Sequence, residues 1–398
     1  MSEKALKRNI TVLYIFNVTI NLIFVGPIFV LFLLDNGLSM TQIMLLETIF
    51  AGVIVALEVP TGYFADKLGR RLSLILSVIF ISIGALVYSL SHKFSQFMLG
   101  EIVWGVGSSL LSGCIDAMLY DTLSAIGREG EYQKIQGRAN LIMLITCGVC
   151  ALVGGWLGAM NLRWPLYASF VGLTIGIPVP FLLKEPPRIK GGHRRGELYY
   201  IYKIHRFALY KNKEVRWLIA LGALISGIGT VGYWLYQPYM KSAGIPIVWF
   251  GLIFAGFNAF AALSSGLAHR ISGRIGKALS LTSIPLTLGL SNTLMGFFVH
   301  PFGCLLILGQ QFARGFGPPV ISDYLNRQVW ADKRATVNSI KNLLGRVTFM
   351  IVAPFVGFLV DRTSLFWGLE TVGAFTVITG LFYILMMKKD SVLQNNVN

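Results

Sequence analysis

Gly62-Tyr-Phe-Ala-Asp66-Lys67-Leu-Gly69-Arg70-Arg71 packs one acid, three bases and two glycines into ten residues, between two long apolar segments. A weaker copy, Gly266-Leu-Ala-His-Arg270-Ile-Ser-Gly273-Arg274, returns about half a chain later, again between apolar segments. Bases alone would serve to anchor a loop at a membrane surface. The acid and the glycines ask for more: a carboxylate to accept hydrogen bonds and a backbone free to turn. A charged loop repeated half a chain apart in an apolar protein points to two related membrane bundles.

Composition agrees. Of 398 residues, 55% are hydrophobic and 13% charged, roughly half the charged fraction of a soluble chain. Mean hydropathy is +0.66. The 27 Phe and 43 Gly suit helices packed in lipid. The first apolar segment is too long for a cleavable signal and lacks a small-residue cleavage site. Cys114, Cys147, Cys150 and Cys304 all fall in apolar segments and read as buried small residues, with no metal or disulfide expected.

Twelve segments are long enough to cross about 30 Å of hydrocarbon. They cover 10–34, 42–65, 72–91, 95–122, 136–160 and 164–183, then 215–239, 247–269, 278–299, 302–325, 337–360 and 366–387. The fold class is an all-α polytopic membrane protein with twelve transmembrane helices in two pseudo-symmetric six-helix bundles. Residues 1–183 form the first bundle, 184–214 a basic linker, and 215–398 the second bundle with a short tail. Aromatic and basic residues mix over 198–210, as in a helix lying in the membrane interface.

With the N-terminus inside, the inner segments carry 27 of the Lys and Arg and the outer connections four: Lys93, Arg163, Lys241 and Arg362. Arg216, Arg314 and Arg346 fall within helices, and Lys341 is counted with the inner loops. This bias places both termini in the cytoplasm. It also accounts for the net charge of +16 without nucleic acid, because the bases are spread over many loops.

On the strength of Gly62-x-x-Ala-Asp66-Lys67-x-Gly69-Arg70-Arg71 and the twelve-segment plan, the chain resembles the major facilitator superfamily of secondary transporters. The resemblance covers essentially the whole chain. The second copy keeps Gly266, Gly273 and Arg274 but puts Arg270 at the acid position. The resemblance implies two halves rocking around a central cavity, and an inner gate of Gly62, Asp66, Gly69, Arg70, Arg71 and Asp121, with Gly273 and Arg274 in the second half. Glu101-Ile-Val-Trp-Gly105-Val-Gly107 resembles bacterial multidrug-exporter-like members. The glycines Gly148, Gly154, Gly155 and Gly158 occur where that branch often carries a Gly-Pro pair, which is missing here; Gly154-x-x-x-Gly158 permits close helix approach.

Intramembrane charge and polarity supply the remaining candidates, since such groups are costly in hydrocarbon unless used or paired. For proton coupling the residues are Glu58, Glu101 and Asp116, with Glu101 and Asp116 preferred; Glu47 shares a helix face with Glu58. For substrate they are Asn17, Asn21, Tyr233, Gln237, Asn258, Arg314, Asn342 and Arg346, with Trp234 read as an interfacial anchor. Each set also suits plain helix–helix bonding. No P-loop is present, so ATP-driven pumping by this chain is not expected, and no nucleophile or metal cluster supports an enzyme. The resulting expectation is a proton-coupled exporter of small amphipathic or drug-like compounds, functional as a monomer in a bacterial inner membrane among its lipids, with no cofactor. The rivals are a transporter of one metabolite anchored as an anion on Arg314, a lipid flippase, and a non-transporting receptor or scaffold.

Overall fold

The computed structural model describes residues 3–187, 206–330, 333–390 and 392. These residues are helical throughout, without a strand. The α-helices are α1 (Glu3–Ile20), α2 (Phe29–Asp35), α3 (Met40–Leu68), α4 (Arg70–Leu90), α5 (Phe94–Leu111), α6 (Cys114–Ala125), α7 (Tyr132–Met160), α8 (Trp164–Gly176), α9 (Lys213–Ser242), α10 (Phe250–Phe297), α11 (Ile307–Arg327), α12 (Arg334–Arg362) and α13 (Leu365–Lys389). Among the described residues, nine helical stretches are long and apolar enough to cross a membrane. The chain is an all-α polytopic membrane protein.

Several expected spans are interrupted. The stretch 10–34 is broken: α1 stops at Ile20, and α2 starts after a 3-10 turn over Gly26–Ile28. Pro27 stands in the first turn of the new segment, where a missing N–H costs no helical bond. The freed backbone finds side-chain partners. Asn21 Nδ2 donates to the Asn17 carbonyl at 2.7 Å, and Ser169 Oγ accepts from Phe24 N at 2.8 Å. In hydrocarbon such replacement bonds are obligatory, because no water can take their place. The stretch 95–122 divides into α5 and α6 at Gly113, whose φ is +71°. Residues 247–297 form one helical stretch bent at Gly276, where φ is +78°. Most of the 184–214 linker, including the interfacial-helix reading over 198–205, lies outside the described residues; 207–211 form one π-helical turn.

Contacts divide the chain into two compact units. The first comprises Met1–Leu38, Leu45–Gly191 and Pro246–Ala255; the second comprises Ser39–Met44, Gly192–Ile245 and Gly256–Asn398. In the first, Phe16, Leu74, Val78, Ile81, Met118, Leu123 and Leu173 form a core shared by α1, α4, α6 and α8. Gly154 of the expected close-approach motif lies against the Phe24 carbonyl of the broken segment, and Gly158 against Ile28. In the second, α9 packs on α11, α12 and α13, and Asn212 starts it by accepting from Val215 N at 3.0 Å. Residues 40–41 belong to this unit: the Asp361 carboxylate accepts from Met40 N at 2.9 Å and Thr41 N at 2.8 Å.

All four cysteines are free. Cys114, Cys150 and Cys304 are buried as expected, but Cys147 is exposed. Its Sγ lies 3.9 Å from Asn21 Oδ1, on a different side of α7 from the exposed Leu141, Ile145 and Val149.

Candidate functional site

The charged loop of the first unit is a helix break stabilised at three points. Gly69 precedes α4 with φ +118°, a conformation that side chains with Cβ rarely adopt. The two amides that follow it have no partner within the helix. Glu185, on the chain after α8, supplies both: its carboxylate accepts from Arg70 N at 2.8 Å and Arg71 N at 2.9 Å. Arg70 then reaches Asp121 of α6 at 2.6 Å, and the Arg71 guanidinium donates to the Phe181 carbonyl at 2.7 Å. Asp66 is exposed near the end of α3. Gly62, by contrast, sits in the interior of α3 with open space where a Cβ would stand. Its glycine is not required by the local geometry. Glu185 escaped the sequence reading because it ends one expected span while capping a helix 115 residues earlier.

The second copy does not turn where the motif alignment places the turn. Gly273 and Arg274 lie inside the continuous helical stretch, and Gly273 also has open space around it. The left-handed residue is Gly276, and Lys277 follows it as Arg70 follows Gly69. Lys277 Nζ meets Glu214 Oε1 at 2.5 Å and the Val392 carbonyl at 2.6 Å. Arg274 is exposed. The helix break of the second unit therefore falls at Gly276 and Lys277 rather than at Gly273 and Arg274. Spacing copied from the first loop gave the wrong register, because the turn is set by which glycine can be left-handed.

Six of the eight candidate substrate residues line two cavities, one in each unit. The first, about 380 Å³, is lined by Asn17, Asn21, Ser108, Asp116, Gln136 and Asn140 among apolar side chains. Asn21 Nδ2 donates to Asn17 Oδ1 at 3.0 Å, and Gln136 Nε2 to Asp116 Oδ1 at 2.8 Å. Its lining holds one acid and no base. The second cavity, about 460 Å³, brings together Tyr233, Asn258, Arg314 and Asn342, joined by Trp234, Tyr236 and Lys341. Arg314 donates to Gln311 Oε1 at 3.1 Å, and Gln311 in turn to the Tyr236 hydroxyl at 3.3 Å. Trp234, read as an interfacial anchor, lines this cavity instead. Lys341, counted with the inner loops, lies within α12 and lines it too. Gln237 is fully buried outside this lining, and Arg346 lies one turn of α12 beyond Asn342, also outside it.

The acids separate. Glu101 and Asp116 do not share a site: Asp116 lines the first cavity, while Glu101 is 5% exposed in a packed cluster. Tyr88 donates to Glu101 Oε1 at 2.5 Å, and Glu47, 7% exposed, acts electrostatically on both. The Tyr88 ring stands 5.4 Å from Phe29 and 5.4 Å from Phe97. Two carboxyls in so apolar a shell cannot both ionise cheaply. Glu58, on α3, is exposed and lines neither cavity. Among the described residues no three His, Cys, Asp or Glu group as metal ligands.

Comparison with known proteins fits this arrangement. The chain is 23% identical over 374 residues to the uncharacterized MFS-type transporter YxaM of Bacillus subtilis (strain 168), covering 91% of this chain and 92% of that one. It is 24% identical over 265 residues to the quinolone resistance protein NorA of Staphylococcus aureus (strain MRSA252), covering 64% of this chain and 66% of that one. Its fold matches a variant of the nucleoside transporter NupG with a TM-score of 0.82 at 14% identity, over 96% of this chain and 99% of the other. It matches a bacterial homolog of the human lysosomal transporter Spinster with a TM-score of 0.75 at 16% identity, over the full length of both. The family model of the Major Facilitator Superfamily matches residues 10–309. With that span covering most of the chain, the protein belongs to the Major Facilitator Superfamily and is a secondary transporter rather than an enzyme.

Proposed function

We propose that the protein is a proton-coupled exporter of small amphipathic or drug-like solutes, working by alternating access between two six-helix bundles over 1–183 and 215–398. The observation that carries this reading is the second cavity. Three aromatic side chains, three amides and two cations line a space of drug-molecule dimensions inside an otherwise apolar chain. The single helical stretch of 51 residues at 247–297 is about 77 Å long at 1.5 Å per residue, enough for two crossings, and supports the twelve-span count. Likeness to the quinolone resistance protein NorA supports export of drug-like molecules. The charge bias supports cytoplasmic termini in a bacterial inner membrane.

Proton coupling draws on the buried acids. Glu101 and Glu47 share an apolar shell with Tyr88 and exchange with water only when that shell opens. A carboxyl protonated in one state and ionised in the other carries one proton per cycle. Asp66, Arg70 and Asp121 act as an inner latch, one of whose bonds is the 2.6 Å ion pair. Reconstitution in proteoliposomes tests the reading. An imposed pH gradient should drive uphill movement of an aromatic dye, and Glu101→Gln should abolish the uphill part while leaving exchange intact. Flux indifferent to the gradient would remove proton coupling from the account.

A further inference from the structure

The second cavity has a property that its aromatic lining does not require: it holds two cations and no acid. Arg314 of α11 and Lys341 of α12 both line it, and no Asp or Glu does. Their bonds all go to neutral groups. Arg314 donates to Gln311, and Lys341 Nζ donates to Ser322 Oγ at 2.7 Å and Asn338 Oδ1 at 3.2 Å. Among the described residues neither cation pairs with a carboxylate. Ion pairs among the described residues of this unit lie elsewhere, for example Lys213 and Arg216 with Asp390, Lys277 with Glu214, and Arg327 with Asp323.

Two like charges in one low-dielectric space repel each other and lack the hydration they had in water. Helix packing alone would be served better by apolar side chains or by a pair of opposite sign. The arrangement is instead favourable when an anion enters, because the cavity offers it two cations and no competing carboxylate. Next to them, the Tyr233 and Trp234 rings stand 5.1 Å apart and the Tyr233 and Tyr236 rings 5.8 Å apart. They offer faces to a flat apolar body. A cationic solute of the same shape meets repulsion from both sides.

We propose that the solute taken up by this cavity is an organic anion with an aromatic or flat apolar body, its carboxylate or comparable group drawn in by the field of Arg314 and Lys341. This rests on the transport reading of the same cavity and narrows its substrate class. Lys341 is a binding residue that the sequence reading had left among the loop charges.

The test uses the full chain in nanodiscs of neutral lipid at pH 7, with empty nanodiscs as reference. Three probes share one ring system: 1-naphthoate, 1-naphthalenemethanol and 1-naphthylmethylammonium. Naphthoate should bind at least tenfold more tightly than the alcohol, and the ammonium weakest of the three. Arg314→Gln and Lys341→Gln should each cost naphthoate at least tenfold, which corresponds to removing one hydrogen bond to a charged group. Lys341→Arg, which keeps the charge, should preserve the preference for the anion. Equal or tighter binding of the ammonium, no naphthoate binding by the wild type, or full naphthoate binding by Arg314→Gln and Lys341→Gln would each overturn the proposal. The order among the wild-type probes needs no variant to fold. Binding at equilibrium also does not depend on proton coupling. Anion selectivity without gradient-driven flux would refute the coupled-export reading and leave this one standing; driven flux of a cationic dye alone would do the reverse.

Discussion

The two charged loops descend from the same pattern of residues and solve the same problem with different parts. Each breaks a helix at a left-handed glycine, follows it with a base, and ties that base to an acid on another helix. In the first unit the glycine is Gly69, the base Arg70 and the acid Asp121, with Glu185 capping the new helix. In the second they are Gly276, Lys277 and Glu214. The register differs by one helical turn from what the matching glycines 62/69 and 266/273 suggest. Where the first loop has Asp66, the second has Arg270. The lesson is that the device kept by both halves is the conformation and the ion pair, while the letters of the motif drift around it.

Substituting the glycines gives the strongest test of this comparison. Gly69→Ala and Gly276→Ala should each destabilise the folded protein by about 1–3 kcal/mol, the cost of a Cβ in a glycine-only region of backbone space. Gly273→Ala should gain up to about 1 kcal/mol, because a helix-interior glycine with open space around it is replaced by the best helix former. Thermal unfolding in detergent measures all three. A loss at Gly273 comparable to that at Gly276 would restore the aligned register.

The ion pairs come next in size. Lys277–Glu214 is the more enclosed, at 11% and 18% exposed, against 21% and 22% for Arg70–Asp121. Double-mutant cycles on stability should give a coupling of about 1 kcal/mol for Arg70 with Asp121 and a larger one for Lys277 with Glu214, since screening weakens as exposure falls. In proteoliposomes Asp121→Asn should slow transport with little loss of fold. If the two couplings are equal, enclosure does not distinguish the loops.

The smallest effect concerns acid. Lys213 and Trp217 donate to the Asp390 carboxylate at 2.8 Å and 3.0 Å, and these bonds hold its pKa below the usual Asp range. A folded value below the unfolded one means stabilisation that is complete above the unfolded pKa and is lost as pH falls through the folded one. The acid limb of unfolding should therefore flatten slightly in Asp390→Asn. Glu185→Gln changes a cap in the first unit and serves as the matched comparison; an unchanged acid limb in Asp390→Asn would show that this tie carries no proton linkage.

Much of the architecture was legible because hydrocarbon punishes unpaired backbone and stray charge over lengths of twenty residues. Helical spans and the crowding of bases into particular connections follow from composition along the chain, whereas the breaks inside 10–34 and 95–122 did not. The ion-pair partner of Arg70 was legible too, since an acid one helix away at the same depth leaves few alternatives. Four residues of interest were not. Glu185 and Asp361 cap helices far from them in sequence. Glu47 joins Glu101 across two helices, and Lys341 is a loop charge by its neighbours but a cavity charge by its helix.

The sequence by itself determined that this protein is a polytopic helical membrane protein, because periodicity, span length and net apolarity are local sums that no packing can reverse. Which glycine turns, which acid is enclosed and which cations share a cavity were decided only by the tertiary structure. Those outcomes depend on the rotation of each helix about its axis. One residue of shift turns a side chain by about 100°, and only the packing of neighbouring helices selects among such rotations.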